Sequence, residues 1–433
     1  MKPPSLPLAH IAITANTLEW YDFSISGFFA IVLGQLFFAG HDALSAIISS
    51  FSVFAASYLI RPLGSVAFGY LGNRRGPAVA LRYATLLMAV PTVLIGLLPT
   101  YRDIGSAATI LIVVLKLIQG FAAGGEYPMS AYFVAHHAPD ASRGRMSSLV
   151  HVGGSLGVLL ASVVTFLVGS AFEQHEIARW AWRIPFLLSI PLFIVVLKIR
   201  SAMIDDSVGQ PVHREKSRPC KVSLAARSSA FIRGALLVAS MEVGFYTLLV
   251  WLPNYAEIFL HDSRNDAHLS NTLALCVFTV TLLVSGWLSS TIAYKKILVA
   301  CLLAVVILAY PLFAILLDFH GFAPLLVNQF IFAMLYGGIG GVLLLALYQL
   351  FKDQGKSLGM AITFTVPTAL FGGTAPLVCS YVVKELHNLS FPAFYVAMFC
   401  LLALPAVMSL TDSDKDIRIN EPDEPDAIKE ALI

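Results

Sequence analysis

Residues 322–351 read FAPLLVNQFIFAMLYGGIGGVLLLALYQLF and contain no acidic or basic side chain. A helix that crosses a membrane needs about 20 mainly apolar residues, so this stretch is long enough to do so. Across the whole chain, 58% of the residues are hydrophobic, 12% are charged, and the mean hydropathy is +0.78. A soluble domain carries about 25% charged residues. The composition therefore predicts an integral membrane protein.

Similar apolar segments recur along the chain and predict an all-α protein with twelve membrane-spanning helices. They lie at residues 8–39, 44–72, 78–99, 106–136, 146–171, 182–199, 230–260, 269–293, 297–318, 322–351, 357–383 and 390–410. A polar linker, residues 201–229, separates a six-helix bundle over residues 1–200 from a second over residues 230–410. Residues 411–433 are polar and acid-rich, which predicts a tail without a core.

The distribution of Lys and Arg predicts the orientation of the chain in its membrane. With an even number of spans both termini lie on one side, and the connections on that side hold most of the basic residues. The connections on the opposite side contain only Arg102, Arg179, Arg264 and Lys384. Because basic residues accumulate on the cytoplasmic side, we expect both termini to be cytoplasmic in a bacterial inner membrane.

Ionisable side chains inside the first two spans are candidates for function. A charge within a span is costly, and it usually faces a partner or a water-filled cavity. Glu19 and Asp22 lie three residues apart on one face of the first helix, and Arg61 of the second could neutralise one of them. A fixed ion pair that stabilises helix packing is the alternative interpretation.

Further polar candidates lie on later helices. Lys116, Gln119 and Glu126 share one side of the fourth helix, and Glu242 is the comparable acid of the second half. His151 could relay protons, or it could be a hydrogen-bonded packing residue. We predict a buried acid–base network that binds a proton and a charged substrate in alternation.

The sequence gives no sign of catalysis or of a cofactor. Gly153-Gly154-Ser155-Leu156-Gly157 matches the G-x-S-x-G pattern, but it lies in an apolar helix instead of a strand-to-helix turn. Small residues at this spacing favour close helix packing. The sequence contains neither paired CxxC cysteines nor a metalloprotease or nucleotide-binding motif. We therefore expect no enzymatic activity, no metal, no cofactor and no nucleic-acid partner.

An ordered set of motifs resembles one transporter family over about residues 13–410. The motifs are Thr17-Leu18-Glu19-Trp20-Tyr21-Asp22-Phe23, Arg61-Pro62-Leu63-Gly64, Gly69-Tyr70-Leu71-Gly72-Asn73-Arg74-Arg75-Gly76, Lys116-Leu117-Ile118-Gln119-Gly120 with Gly124-Gly125-Glu126, Trp182-Arg183-Ile184-Pro185-Phe186-Leu187-Leu188, and Phe371-Gly372-Gly373-Thr374-Ala375-Pro376. They resemble the major facilitator superfamily, and within it the metabolite:proton symporters of proline/betaine, citrate, shikimate and oxoglutarate.

The resemblance implies a major facilitator fold in which two bundles give alternating access to a site near the membrane midplane. It also implies a monomer in the lipid bilayer that imports a small metabolite with a proton. It places proton coupling on Glu19, Asp22, Arg61 and Glu126, and an inward gate on Gly69, Gly72, Asn73, Arg74 and Gly76. We expect the substrate to contact Tyr21, Lys116, Gln119, His151, Glu242, Tyr246, Trp251 and Tyr336.

Departures from the family pattern concern the gate and the fourth helix. Asn73 stands where the family has aspartate, Pro77-Ala78 replaces a basic pair, and Lys116 replaces arginine. A lysine lacks the planar, bidentate geometry of arginine, so substrate recognition can differ from that of the family. The expected substrate is a small organic acid, amino acid or zwitterion. An exporter or uniporter of the same fold, or a membrane sensor without transport, is the alternative.

Overall fold

The computed structural model describes residues 7–38, 43–75, 77–124, 127, 134, 143–207, 224–351 and 356–410. Within these residues the secondary structure is helical, and strands are absent. Nine helices are long and apolar enough to cross a membrane, and the count in this part of the chain reaches eleven if each of two bent helix pairs is one span. A shorter apolar helix covers Arg82–Leu97. The predicted all-helical architecture is confirmed, and the count of twelve spans stays a prediction.

The helices before the linker follow the apolar segments of the sequence. They are α1 (Pro7–Phe28), α2 (Ala30–Phe37), α3 (Ala43–Leu59), α4 (Arg61–Arg75), α5 (Pro77–Leu97), α6 (Tyr101–Ile104), α7 (Ser106–Ala123), α8 (Arg143–Ala171), α9 (Gln174–Glu176), α10 (Arg183–Leu187) and α11 (Ser189–Ser207). A π-helical segment, Ile177–Ala181, lies between α9 and α10. We call the part of the chain up to α11 the first half.

The helices after the linker form the second half. They are α12 (Leu224–Phe245), α13 (Leu252–Phe259), α14 (Arg264–Leu288), α15 (Tyr294–Asp318), α16 (Phe322–Phe351), α17 (Lys356–Pro367), α18 (Ala375–Leu386) and α19 (Phe391–Met408). Two further π-helical segments, Tyr246–Trp251 and Thr368–Gly372, join α12 to α13 and α17 to α18. Helix α16 is the uncharged stretch 322–351, which the structure forms as one unbroken helix.

The first predicted span, residues 8–39, is formed by two helices within its described residues. The chain bends by 66° where α1 passes into α2 at Phe29. The adjacent pair Ser26-Gly27 explains the bend, because Ser–Gly pairs are recurrent kink sites. The Ser26 hydroxyl also donates to the carbonyl of Asp22 at 3.3 Å, and such a bond to the preceding turn tends to bend a helix.

Glycines set the spacing between α7 and its neighbours α3 and α4. A Cβ atom at Gly120 would overlap the carbonyl oxygen of Ser57, and one at Gly64 would overlap the carbonyl oxygen of Phe121. Only glycine lets two helix backbones approach this closely, as is common in membrane bundles. The close contact brings the polar residues of α7 toward α1 and α3.

The two halves meet along several helix pairs. Ser155 and Ser162 of α8 share hydrogen bonds of 2.5 and 2.7 Å with the hydroxyls of Thr279 and Thr272 of α14. The Asn254 amide of α13 donates to the carbonyl of Gly27 at 3.2 Å. Small residues and hydroxyl pairs can hold helices together in a bilayer, where the hydrophobic effect between helices is weak. These contacts place α8 against α14 and α1 against α13 at the interface between the halves.

Candidate functional site

A buried carboxylate joins three helices of the first half. Asp22 of α1 has 2% of its surface exposed. The Thr92 hydroxyl of α5 donates a hydrogen bond to Asp22 Oδ2 at 2.5 Å. The Gln119 amide of α7 donates in turn to Thr92 Oγ1 at 2.6 Å. Gln119, predicted as a substrate residue, therefore belongs to the surroundings of Asp22.

Lys116 supplies the cation beside this carboxylate. Its ammonium, which is buried, donates a hydrogen bond to the Ser26 hydroxyl, and its charge acts on Asp22. The ion pairs within 4.0 Å that the structure gives among its described residues do not include Lys116 with Asp22. The two groups are thus electrostatic neighbours without a closed ion pair. We call Asp22, Ser26, Thr92, Lys116 and Gln119 the Asp22 cluster.

The guanidinium of Arg61 packs against aromatic rings of α1 and α3. Its guanidinium carbon is 3.6 Å from the ring centroid of Tyr58 and 4.1 Å from that of Phe23. A guanidinium over an aromatic face is attracted by the ring quadrupole. The charge of Arg61 also acts on Glu242 of α12, across the boundary between the halves. The sequence left open whether Arg61 neutralises Glu19 or Asp22. The cation that acts on Asp22 is Lys116, and neutralisation of Glu19 by Arg61 stays a prediction.

Two cavities flank the centre of the molecule. The outer cavity, on the side of the connection between α2 and α3, is a small, partly open space of about 20 Å³. Its lining residues are Ser26, Leu33, Phe38, Ser50, Val53, Phe54, Ile112 and Lys116. The inner cavity is also small and partly open, with a volume of about 20 Å³. Its lining residues are Trp20, Tyr127, His151, Gly154, Ser155, Met241, Glu242, Phe245 and Phe278.

The inner cavity combines aromatic rings with one carboxylate. Glu242 is buried, and its Oε2 atom has no hydrogen-bond donor among the described residues. Trp20 packs edge-on against Tyr127 and Phe245, with centroid separations of 5.9 and 5.6 Å. Glu19 is also buried, and its charge acts on Tyr127 at this end of α1. The cavity can therefore stabilise positive charge on a ligand.

Aromatic side chains close the space between the two cavities. The hydroxyls of Tyr58 and Tyr246, which belong to different halves, lie 2.6 Å apart. Tyr246 stacks on Trp20 with an interplanar angle of 14° and packs against Phe54 at 6.0 Å. Phe54 lines the outer cavity and Trp20 lines the inner one. We call Trp20, Phe54, Tyr58 and Tyr246 the aromatic septum.

Three residues expected at the substrate site have partners within their own half. The Tyr21 hydroxyl donates to the carbonyl of Pro185 at 2.8 Å. Trp251 donates from Nε1 to Ser380 Oγ at 2.7 Å, and the Tyr336 hydroxyl lies 3.3 Å from Cys400 Sγ. None of the three lines the outer or the inner cavity described above. Their placement fits packing, whereas Lys116, His151, Glu242 and Tyr246 lie at the cavities or the septum.

The predicted gate is described only in part. Arg74, which is exposed, stacks over the ring of Tyr70 on its own helix at 4.5 Å. The backbone of Gly69, Gly72 and Asn73 lies in α4. Gly76 and the predicted coupling residue Glu126 lie outside the described residues. The gating roles therefore stay predictions.

Sequence reasoning missed three contributors to these sites. Thr92 donates directly to Asp22, while Trp20 and Tyr127 line the inner cavity. An uncharged residue in an apolar span is not costly, so it gave no signal comparable to a charge. For Thr92, the only available signal was a hydroxyl beside Pro91 in the middle of a span.

Comparison with known proteins agrees with this architecture. The family model described as the Major Facilitator Superfamily matches residues 12–373. The glycine betaine/proline/ectoine/pipecolic acid transporter OusA of Dickeya dadantii (strain 3937) is 32% identical over 410 residues, which cover 91% of this chain and 81% of that protein. The citrate-proton symporter of Klebsiella pneumoniae is 27% identical over 403 residues, covering 92% and 90%.

A solved structure described as a partially occluded inward open conformation of the xylose transporter XylE from E. coli shares the fold. Its TM-score is 0.74 at 16% identity, and the match covers 94% of this chain and 98% of the other. The chain belongs to the Major Facilitator Superfamily. It is a multi-pass membrane transporter and not an enzyme, as the sequence predicted.

Proposed function

We propose that the protein imports a small zwitterionic metabolite together with a proton, and that Asp22 carries the proton. The Asp22 cluster is the observation that supports this most directly. A buried carboxylate near a cation that it does not contact can be neutralised either by a proton or by that cation. A change in helix position therefore changes its affinity for a proton, which is what a symporter needs.

The proposed substrate site is the inner cavity. Trp20, Tyr127 and Phe245 present aromatic rings there, and Glu242 adds a carboxylate. Such surroundings attract an ammonium or quaternary ammonium group, by about 2 kcal/mol or more for a desolvated cation over a ring. The same carboxylate repels a ligand with several negative charges. We therefore favour a zwitterion over a tricarboxylate.

Arg61 is the proposed partner for the carboxylate of the zwitterion. It lies on α4 of the first half, while Glu242 lies on α12 of the second, and the two charges act on each other. A molecule with one positive and one negative end can bridge them and so draw the halves together. The relatives named as transporters of glycine betaine, proline, ectoine and pipecolic acid support this class of substrate.

Alternating access follows from the position of the aromatic septum. The septum separates the two cavities, and its Tyr58–Tyr246 hydrogen bond joins the halves. Rocking of one half against the other would break this bond and open one cavity at a time. We propose that two bundles, residues 1–200 and residues 230–410, move relative to each other. Residues 201–229 link them, and residues 411–433 form a tail. The protein is proposed to be a monomer with both termini in the cytoplasm.

Uptake into proteoliposomes tests this function. Glycine betaine, proline and citrate are supplied outside vesicles whose interior is more alkaline, with a protonophore as the control that collapses the gradient. We expect gradient-driven accumulation of glycine betaine or proline and none of citrate. Uptake that ignores the gradient would favour a uniporter, and binding without flux would favour a sensor.

A further inference from the structure

We infer that His268 of α14 is a second proton-binding site, separate from the Asp22 cluster, and that its protonation opens one end of the interface between the halves. We call this the outer end, and it contains the connections between α2 and α3 and between α13 and α14. The inference rests on the proposed function in one respect, the orientation that places this end outside the cell.

The bend between α1 and α2 closes the outer end against the second half. The amide of Asn254 on α13 donates to the carbonyl of Gly27 at 3.2 Å. Gly27 lies so close to the second half that a Cβ atom there would be 2.6 Å from Cγ1 of Val250. The guanidinium carbon of Arg264, the first residue of α14, lies 5.8 Å from the ring centroid of Phe29. Separation of the halves at this end must therefore break the contacts of the bend.

His268 lies within this contact as a buried imidazole. Its ring packs edge-on against that of Phe28, with the two centroids 6.0 Å apart. Only 2% of its surface is exposed, and neither ring nitrogen has a hydrogen-bond partner among the described residues. A neutral polar group buried without a partner costs about 1–3 kcal/mol, and an unpaired buried charge costs far more. The closed outer end therefore holds His268 in its neutral form.

Charges close to His268 add to this preference for the neutral form. Arg264 lies one turn before His268 on α14, and its positive charge acts on the imidazole. Glu257 of α13 lies 3.9 Å from Arg264 and neutralises part of that charge. Asp266 lies two residues before His268, which places it on a different face of α14. Neither acid forms an ion pair with His268 within the described part of the chain.

The other described elements packed against α14 do not bring an acidic or basic residue to His268. Helix α16 and the π-helical segment Tyr246–Trp251 contain none. Helix α8 runs antiparallel to α14, because Ser162 pairs with Thr272 and Ser155 pairs with Thr279. The described ionisable residues of α8 and α1 therefore lie toward the opposite end, and they are Arg143, Arg145, His151, Glu19 and Asp22. The tyrosines of these elements stay neutral, since a phenol titrates at about pH 10.

Proton binding and opening of the outer end are linked through His268. Opening would part Phe28 from α14 and admit water to the imidazole, which in water is half protonated at about pH 6.5. Because the open form binds a proton that the closed form excludes, a fall in pH favours the open form. Between about pH 7.5 and about pH 5.5 the ratio of open to closed molecules should rise about tenfold. The proton leaves His268 when the outer end closes, so it controls access and is not transported.

Double electron–electron resonance between two spin labels tests this site on the purified full chain in lipid nanodiscs. The labels are attached at Arg102→Cys on α6 and Leu386→Cys on α18, in a chain whose native cysteines are replaced by alanine. Both positions are exposed and belong to different halves. Helix α6 contacts α2, and Lys384 of α18 donates to Ser45 of α3 at 3.3 Å, so both labels lie at the outer end. We expect the ratio of the longer to the shorter label separation to rise about tenfold between about pH 7.5 and about pH 5.5.

Substitution of His268 identifies the group that titrates. His268→Phe keeps a ring against Phe28 and cannot bind a proton, so the label separation should no longer depend on pH. The matched control is His175→Phe, which removes an exposed histidine of the first half and should leave the dependence unchanged. Asp22→Asn should also keep it, because the two sites are separate. A separation that ignores pH in the labelled parent chain, a dependence that survives in His268→Phe, or one that disappears in Asp22→Asn overturns the inference. If His268→Phe does not fold by size-exclusion chromatography, His268→Gln decides instead, and the inference requires the same loss of pH dependence.

Failure of this inference is distinguishable from failure of the proposed function. Proton-driven uptake of glycine betaine by a protein whose label separation ignores pH would exclude the His268 site and leave the symporter. A pH-dependent separation that His268→Phe abolishes, in a protein whose uptake ignores the pH gradient, would do the reverse.

Discussion

Substitution Thr92→Val removes the hydroxyl that donates to Asp22 at 2.5 Å and keeps a side chain of the same shape. A hydrogen bond to a charged group contributes about 1.5–3 kcal/mol. This bond favours ionised Asp22, so its loss favours the protonated form. Since about 1.4 kcal/mol corresponds to one pH unit, the midpoint of the pH profile should move upward by about one to two units. The Gln119 amide, which donates to Thr92 in the wild type, can instead donate to Asp22 and replace part of the lost hydrogen bond. The expected shift of the midpoint is therefore nearer to one pH unit than to two.

The assay for this substitution is counterflow of glycine betaine in proteoliposomes across a range of pH. Thr165→Val is the matched control, because Thr165 is equally buried and its hydroxyl donates to the carbonyl of Ala161 on its own helix at 2.8 Å. The control should leave the midpoint unchanged. A Thr92→Val profile that coincides with that of Thr165→Val would refute the assignment of Asp22 as the proton carrier.

Three further substitutions test the packing, the septum and the substrate site. Gly120→Val should lower the yield and the midpoint temperature of thermal unfolding, because its side chain would overlap a backbone carbonyl of α3, whereas Ala107→Val on the exposed face of α7 should not. Tyr58→Phe removes the partner of the buried Tyr246 hydroxyl. Leaving that hydroxyl without a hydrogen bond destabilises the closed septum by about 1–3 kcal/mol. Stopped-flow fluorescence should then show that the aromatic septum opens faster than in the wild type. An unchanged opening rate would show that the Tyr58–Tyr246 hydrogen bond does not control opening. Glu242→Gln should weaken glycine betaine binding about tenfold or more in equilibrium dialysis, because Glu242 lines the inner cavity. Unaltered affinity would show that the substrate does not bind beside Glu242.

The sequence predicted the class of fold because that prediction depends on apolar length. Residues 322–351 form α16 as expected, since an uncharged stretch of this length has few alternatives in a bilayer. The bend at Phe29 was missed, because apolar length does not record the local hydrogen bond of Ser26 to Asp22. The periodicity of apolar residues predicts which face of a helix a residue occupies, but it does not predict where the helix axis bends.

The sequence predicted which charged residues belong to the candidate site, but it did not predict which of them lie next to each other. Asp22, Lys116 and Arg61 were identified from the cost of burying charge. Their sequence positions do not determine which helices pack together, so the sequence left open which carboxylate Arg61 neutralises and did not pair Asp22 with Lys116, the cation that acts on it. The hydrogen bond from the Lys116 ammonium to the Ser26 hydroxyl joins α7 to α1, and the sequence does not reveal this contact.

Accumulation of glycine betaine by Asp22→Asn in proteoliposomes is the most direct test of the central claim. With the membrane potential held at zero and an inward gradient of one pH unit, one proton per substrate supports accumulation of up to about tenfold. The wild type should approach this ratio, and Asp22→Asn should equilibrate at a ratio of about one while retaining counterflow. Wild-type accumulation by Asp22→Asn would contradict the assignment of proton coupling to Asp22.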